Sequence, residues 1–216
     1  MSQKSLNKYF ELIQERSKEF ITNNFLKIIT DRKMLEQYEK QYNCDLGVVY
    51  ESDYHLLVVD LVCSNDNIFK YERLIKRHSG NCVVIIPIYN EKFVLLNQYR
   101  YSLQENQICF PRGFGESGLK VEENAKKEIK EEINADTISC DIIGTVVADS
   151  GVCGEKVAIC LCEISKPFIN EHYENIDEIN LCSIDELTEL IKNNAINDGY
   201  TLSAFSLYML NNGSQD

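Results

Sequence analysis

Cations are scarce in this 216-residue chain: 22 lysines and arginines face 34 aspartates and glutamates, a formal charge of 22 − 34 = −12. Nucleic acid is bound by Lys and Arg that displace counterions from phosphates, so the balance argues against it as a main partner. The same balance disfavours anionic membranes, while a small anion stays admissible if a divalent metal screens it. Long apolar runs are missing too. The longest, Val83-Val84-Ile85-Ile86 before Pro87, is strand-length, far short of the ~18 residues of a spanning helix. Met1 is followed by polar Ser2-Gln3-Lys4-Ser5, without the apolar core of a secretory signal. No repeat, low-complexity tract or Pro-rich linker occurs, and the three prolines mark no domain boundary. The nine cysteines include no tight pair or Cys/His cluster with zinc-site spacing. Cys82, Cys160 and Cys162 sit inside strand-like runs, where a thiol acts as a small hydrophobe. The expectation is a cytoplasmic chain with reduced thiols. His55, His78 and His172 are scattered and have no obvious partner.

What is present is an ordinary globular composition, 44% hydrophobic and 26% charged, long enough to bury a core without disulfide or metal staples. Residues 1–43 differ in texture: polar, with helical spacing over 5–22 and 31–43 and a strand-like run at 25–30. They read as an N-terminal extension, leaving 44–216 as the main domain. Beyond it, 47–50, 56–63 and 68–75 read as strands joined by turns at Glu51-Ser52-Asp53 and Asn65-Asp66-Asn67. Residues 82–89 and 93–99 form a hairpin about Asn90-Glu91-Lys92, and strands resume at 137–147 and 156–164. Between them Val121, Ala125, Ile129 and Ile133 recur every four residues, one apolar stripe of a helix over 120–133. Ser183-Ile184-Asp185-Glu186 is a capping box opening a helix to about 192, and a last helix covers 202–210. Strands split by one central helix, with helices at the end, predict an α/β layered sandwich.

The chemistry concentrates on the central helix. Glu128, Glu131 and Glu132 stand at i, i+3 and i+4, on adjacent ridges. Such a set is either a solvated acidic face interleaved with Lys126, Lys127 and Lys130, or a site for a hard cation, since carboxylate oxygens suit Mg²⁺ or Mn²⁺. The preceding segment, Phe110-Pro111-Arg112-Gly113-Phe114-Gly115-Glu116-Ser117-Gly118, favours the second reading. Its three glycines let backbone approach a ligand closely, and the loop feeds directly into the acid-bearing helix. It lacks the Gly-Lys-Ser/Thr of a P-loop.

Residues 113–135 resemble the signature of the Nudix hydrolases: Gly, five residues, Glu, seven residues, then Arg-Glu-hydrophobic-any-Glu-Glu-any-Gly-hydrophobic. The closing part reads Lys127-Glu128-Ile129-Lys130-Glu131-Glu132-Ile133-Asn134-Ala135, in register from Gly113. Leu119 stands in place of the first Glu, Lys127 of the Arg and Asn134 of the Gly. Asn tolerates the left-handed conformation that ends helices, and Lys127 keeps the charge but loses the planar fork. Glu116 is a candidate stand-in for the acid absent at Leu119. The likeness extends over 46–210. Gln98-Tyr99-Arg100 and Asn197-Asp198-Gly199-Tyr200-Thr201 resemble the ADP-ribose pyrophosphatase branch, and Glu155 falls where that branch carries a glutamate that serves the attacking water. Ser150 departs from its Pro and Cys109 from its Glu.

The resemblance implies an α/β/α sandwich with a mixed sheet, and a pyrophosphohydrolase of ADP-ribose or a related nucleoside diphosphate sugar. It also implies Mg²⁺ or Mn²⁺ held by Glu128, Glu131, Glu132 and the backbone carbonyl of Arg112 or Gly113. Glu128, Glu131 and Glu155 are the catalytic candidates, with Glu155 as general base. Arg100, Arg112 and Gly113 are the candidate substrate contacts, since guanidinium suits bidentate anion binding. Nucleoside triphosphates or dinucleoside polyphosphates are alternative substrates, and a non-catalytic nucleotide-binding module is a third reading. Members of that branch pair through N-terminal strands, so the apolar run 25–29 suits a homodimer.

Overall fold

The computed structural model describes residues 2–168 and 175–212, and the chain divides into two compact units. Met1–His78 joins Asp149–Glu155 in the first, and Ser79–Ala148 joins Lys156–Asp216 in the second. The boundary expected at 43/44 therefore falls inside the first unit. The reason is pairing: the strand of the N-terminal region is hydrogen-bonded to a strand beyond residue 44, so the two segments share one sheet.

In the first unit, α1 (Ser2–Glu15) is followed by a 3₁₀ turn (Ser17–Glu19), β1 (Lys27–Ile28), α2 (Arg32–Tyr42), β2 (Gly47–Glu51), β3 (His55–Ser64) and β4 (Asn67–Lys76). The helix expected over 5–22 begins earlier and stops at Glu15, and the strand expected at 25–30 shortens to two residues. β3 pairs antiparallel with β4 along one edge, and with β1 and β2 along the other. The β3–β4 turn is Asn65-Asp66, both at positive φ, as a two-residue hairpin that follows strand twist requires. Leu6, Tyr9 and Leu12 of α1 share one buried core cluster with Val58, Val59 and Leu61 of β3. At the centre Asp60 accepts hydrogen bonds from Tyr9 Oη and Arg73 Nε. Burial, with the neighbouring Asp60 carboxylate second, raises the Tyr9 pKa above its ordinary value, so Tyr9 stays a donor.

The second unit holds β5 (Val83–Tyr89), β6 (Lys92–Arg100), β7 (Glu105–Cys109), β8 (Arg112–Gly113), α3 (Val121–Ile133), β9 (Thr137–Val146), β10 (Val157–Ile164), β11 (Ile176–Cys182), α4 (Ile184–Lys192) and α5 (Gly199–Asn212). Its seven-stranded sheet runs β11-β6-β5-β10-β9, with β7 beside β6 and β8 beside β5. β10 lies parallel to β5 and the remaining pairs are antiparallel. Alternation along β5 divides the core. Val83 and Ile85 face Ala125, Ile129 and Ile133 of α3, whereas Val84 and Ile86 pack with Leu187 of α4 and Ala204 and Phe205 of α5. Helices on both faces of a mixed sheet make the α/β/α sandwich that the resemblance implied. Among the described residues no helix is long and apolar enough to cross a membrane.

Two details of this unit place the site. β5 and β6 pair only at Ile88↔Phe93 and Tyr89↔Lys92. Toward the start of β5 the chain leaves β6 after Cys109 and pairs with β5 as β8. Helix α3 ends at Asn134, whose φ of 46° is left-handed; asparagine fills the box glycine's place as a C-cap residue should.

Candidate active site

The apolar stripe of α3 fixes the direction of its acids. With Ala125, Ile129 and Ile133 fully buried, the neighbouring ridge at Glu128 and Glu132 is drawn inward, leaving these carboxylates only 7% and 2% exposed. Gly113 explains how Glu128 is accommodated. A Cβ on Gly113 would stand 2.0 Å from Glu128 Cδ and 2.1 Å from its Oε1, so the carboxylate rests on bare backbone where any other residue would collide. Loop and helix are thus matched at one atom-sized contact. Gly113 serves this contact in the structure, in addition to its candidacy as a substrate contact.

The carbonyl question left open between Arg112 and Gly113 is narrowed by strand register. Ile85 N–H donates to the Pro111 carbonyl at 2.9 Å, and Val83 lies opposite Gly113 with Val84 opposite Arg112. In an antiparallel ladder hydrogen-bonded pairs alternate. Gly113 therefore turns its carbonyl toward β5 and Arg112 turns its own away.

Side chains around the loop hold it still. Asn124 is fully buried, and its Nδ2 donates to the Asn81 carbonyl at 3.0 Å and the Phe114 carbonyl at 3.2 Å. These two segments cross so closely that a Cβ on Gly80 would lie 2.1 Å from the Gly115 carbonyl oxygen. On the other side Asp198 Oδ2 accepts from Thr201 N–H at 2.9 Å and Thr201 Oγ1 at 2.7 Å, and Thr201 Oγ1 accepts from Phe110 N–H at 2.9 Å. Asp198 Oδ1 takes Arg112 Nη1 at 3.2 Å, and the same guanidinium lies 5.3 Å over the Tyr200 ring. The Arg112 side chain, expected to contact phosphate, is thus engaged in fixing its own loop.

Asp198 also caps α5, which is why that helix starts at Gly199 and not at 202 as expected. Asp198→Ala should lower unfolding free energy by ~2 kcal/mol, above a cap alone, because the Arg112 contact is lost as well. Chemical denaturation measures it, and a loss below ~0.5 kcal/mol would remove the tether from the account.

Other expected residues fall differently. Glu131 accepts from Lys127 Nζ at 3.1 Å, and the same ammonium meets Glu116 at 2.8 Å. The hydrogen bond to Glu116 is the main cause of a raised Lys127 pKa. Lysine in place of the box arginine thus bridges two acids singly, one of them the glutamate nearest the missing acid at Leu119. Among the described residues no three Asp, Glu, His or Cys side chains already converge as a metal cluster. The structure brings Glu128 and Glu132 to one buried face, and turns Glu131 to Lys127 because a four-residue spacing lets the lysine arm reach it. Arg100 Nη2 donates to Cys109 Sγ at 3.2 Å, and its Nε is buried without a hydrogen-bond partner. Burial raises the Cys109 pKa and the Arg100 cation opposes that rise. Glu155 belongs to the first unit, ion-paired with Lys76. His55 and His78 are also in the first unit, and His172 lies outside the described residues.

Asn124 is a site-shaping residue that sequence reading did not single out, while Asp198 and Thr201 entered it only within the 197–201 motif, without a role of their own. Asp198 three residues before Thr201 carried a signal, the capping pattern of a helix start; buried Asn124 carried none.

Buried carboxylates on the helix that follows a glycine loop, in a mixed-sheet α/β/α sandwich, define a hydrolase scaffold of the Nudix type. A NUDIX domain is matched over residues 79–205, and the chain belongs to that family. The ADP compounds hydrolase NudE of Escherichia coli (strain K12) is 32% identical over 75 residues, 35% of this chain and 40% of that protein. The match thus spans well under half of that relative's length. A solved ADP compounds hydrolase superposes with a TM-score of 0.66 at 19% identity, covering 77% of this chain and 92% of the other, which supports the fold.

Proposed function

We propose that this Nudix hydrolase is Mg²⁺-dependent and cleaves the diphosphate of ADP-ribose or a related nucleoside diphosphate sugar. The observation carrying the reading is Glu128 seated on Gly113 with Glu132 one turn on, both nearly inaccessible. Two like charges on one buried face repel and lose hydration, a cost that a shared hard cation offsets. The donor set fits the ion: oxygens of Glu128 and Glu132, and the Arg112 carbonyl turned away from β5. Glu131, exchanging Lys127, is the proposed third ligand. A bound divalent ion would supply positive charge to the diphosphate oxygens and lower the pKa of a coordinated water.

The chain's own residues supply the rest. Asn124 and Asp198 hold the loop so that carbonyl and carboxylates keep fixed separations, which is worth rate only when the geometry is set in advance. Arg100 is the proposed phosphate contact. Its guanidinium has sulfur beside it where the branch carries a carboxylate, so its charge is not neutralised from that side. Glu155 is the proposed general base. A homodimer is proposed as well, since Phe25 and Ile21 are 82% and 71% exposed; light scattering measures it.

The test is a panel of diphosphates incubated with Mg²⁺ and the full chain. AMP release from ADP-ribose, lost on chelation and reduced in Glu155→Gln, is the expected result. Pyrophosphate release from nucleoside triphosphates, or silence across the panel, overturns the substrate reading.

A further inference from the structure

Three cysteines meet beneath α3, and none of them has a role in the candidate active site. Cys140 of β9 lies opposite Cys162 of β10 in the antiparallel register, and Cys160, two residues back on β10, points to the same face. Side-chain hydrogen bonds join Cys140 to both. Cys160 and Cys162 are fully buried among Ala125, Ile129 and Ile133, while Cys140 is half-buried at the edge of that cluster. The three thiols thus form a graded path from the surface into the core.

We propose that Cys140 and Cys162 are a peroxide-responsive pair that closes into a cross-strand disulfide. Directly opposed residues on antiparallel strands have Cα atoms ~4.5 or ~5.5 Å apart, and both values fall within the ~4.4–6.8 Å that a disulfide spans. Cys140 is the entry point, because it alone of the three reaches the surface. Hydrogen bonds from Cys160 and then Cys162 lower its pKa, and Lys126 acts in the same direction, so the thiolate forms there first. The hydrogen bond with Cys140, and after it burial, raise the pKa of the other two.

The co-reactant is a hydroperoxide. Cys140 Sγ attacks one peroxide oxygen and the O–O bond breaks. The departing hydroxide or alkoxide takes up a proton, leaving a sulfenic acid at Cys140. Cys162 Sγ then attacks the Cys140 sulfur, the S–O bond breaks and water leaves with the Cys162 proton. Two thiols lose two electrons in all, and the peroxide is reduced by the same two.

The experiment treats the full chain with a few equivalents of hydrogen peroxide, blocks remaining thiols with N-ethylmaleimide, and maps peptides without reduction. The expected result is a loss of two hydrogens per chain, with the 140-bearing peptide linked to the one bearing 160 and 162. The link should persist in Cys160→Ser and vanish in Cys162→Ser. Cys140→Ser, altered only at the half-buried position, should also lack it and keep its thermal midpoint. A link that persists in Cys162→Ser but disappears in Cys160→Ser would overturn the assignment. So would Cys140 ending as a sulfinic acid with Cys162 still alkylatable, or both remaining reduced while other cysteines oxidise.

Discussion

Glu132→Gln is expected to cut the proposed Mg²⁺-dependent hydrolysis by ~10²-fold or more, and Glu128→Gln should match it. Glutamine keeps shape and burial while removing the charge that would hold a divalent ion, so the loss reports on charge and not on packing. A second readout separates this from a folding defect. The two carboxylates are 7% and 2% exposed one turn apart on the same helix, and removing one negative charge relieves repulsion when no metal is bound. The metal-free thermal midpoint should therefore hold or rise while activity falls, the opposition expected where a site is built at the expense of stability. Calorimetric titration with Mn²⁺ checks the same point without any substrate. If Glu132→Gln turns over at full rate and takes up Mn²⁺ as before, the acidic face is only a solubilising one.

Much of the second unit was legible because its signals are local. The four-residue stripe from Val121 to Ile133 and the Ser183 capping box each lie within one helix, and both helices stand where the patterns put them. Three strands went unread for reasons that differ. β8 is two residues directly after Pro111, too short for any period, and it forms because the start of β5 lacks β6 as a neighbour. β7 alternates Asn106 and Ile108 with the buried Gln107 and Cys109, an edge pattern without a clean apolar face. β11 mixes acids and apolar residues in the same way, and its partner β6 decides it. In the first unit helix α1 stops at Glu15, where Arg16 donates to the carbonyl of Lys76, a contact 60 residues away in sequence that no window contains. The acidic residues of the site were found as a spacing. Their separation into a buried pair and a Lys127-bound third depends on which ridge the sheet covers, a property of packing alone.

Gly113→Ala should be nearly as damaging as loss of a glutamate, for a purely steric reason. The new Cβ would meet Glu128 Cδ at 2.0 Å and Oε1 at 2.1 Å, far inside van der Waals contact, so loop or carboxylate must move by about an ångström. The loop resists, because Arg112 and Phe110 are tied through Asp198 and Thr201 and Phe114 through Asn124. The flexible end of Glu128 therefore yields. A displacement of ~1 Å at a positioned group can cost ~10²-fold in rate, whereas repacking one side-chain tip costs stability only ~1–3 kcal/mol. The signature is non-additivity. In a Glu128→Gln background the charge is already gone, so adding Gly113→Ala should change Mn²⁺ affinity by less than ~3-fold, although alone it lowers affinity at least 10-fold. Measured by calorimetry on the four proteins of the cycle, full additivity would mean that Gly113 serves the backbone path of the loop and not the seat of Glu128. The two roles are physically distinct, and the cycle assigns the glycine to one of them.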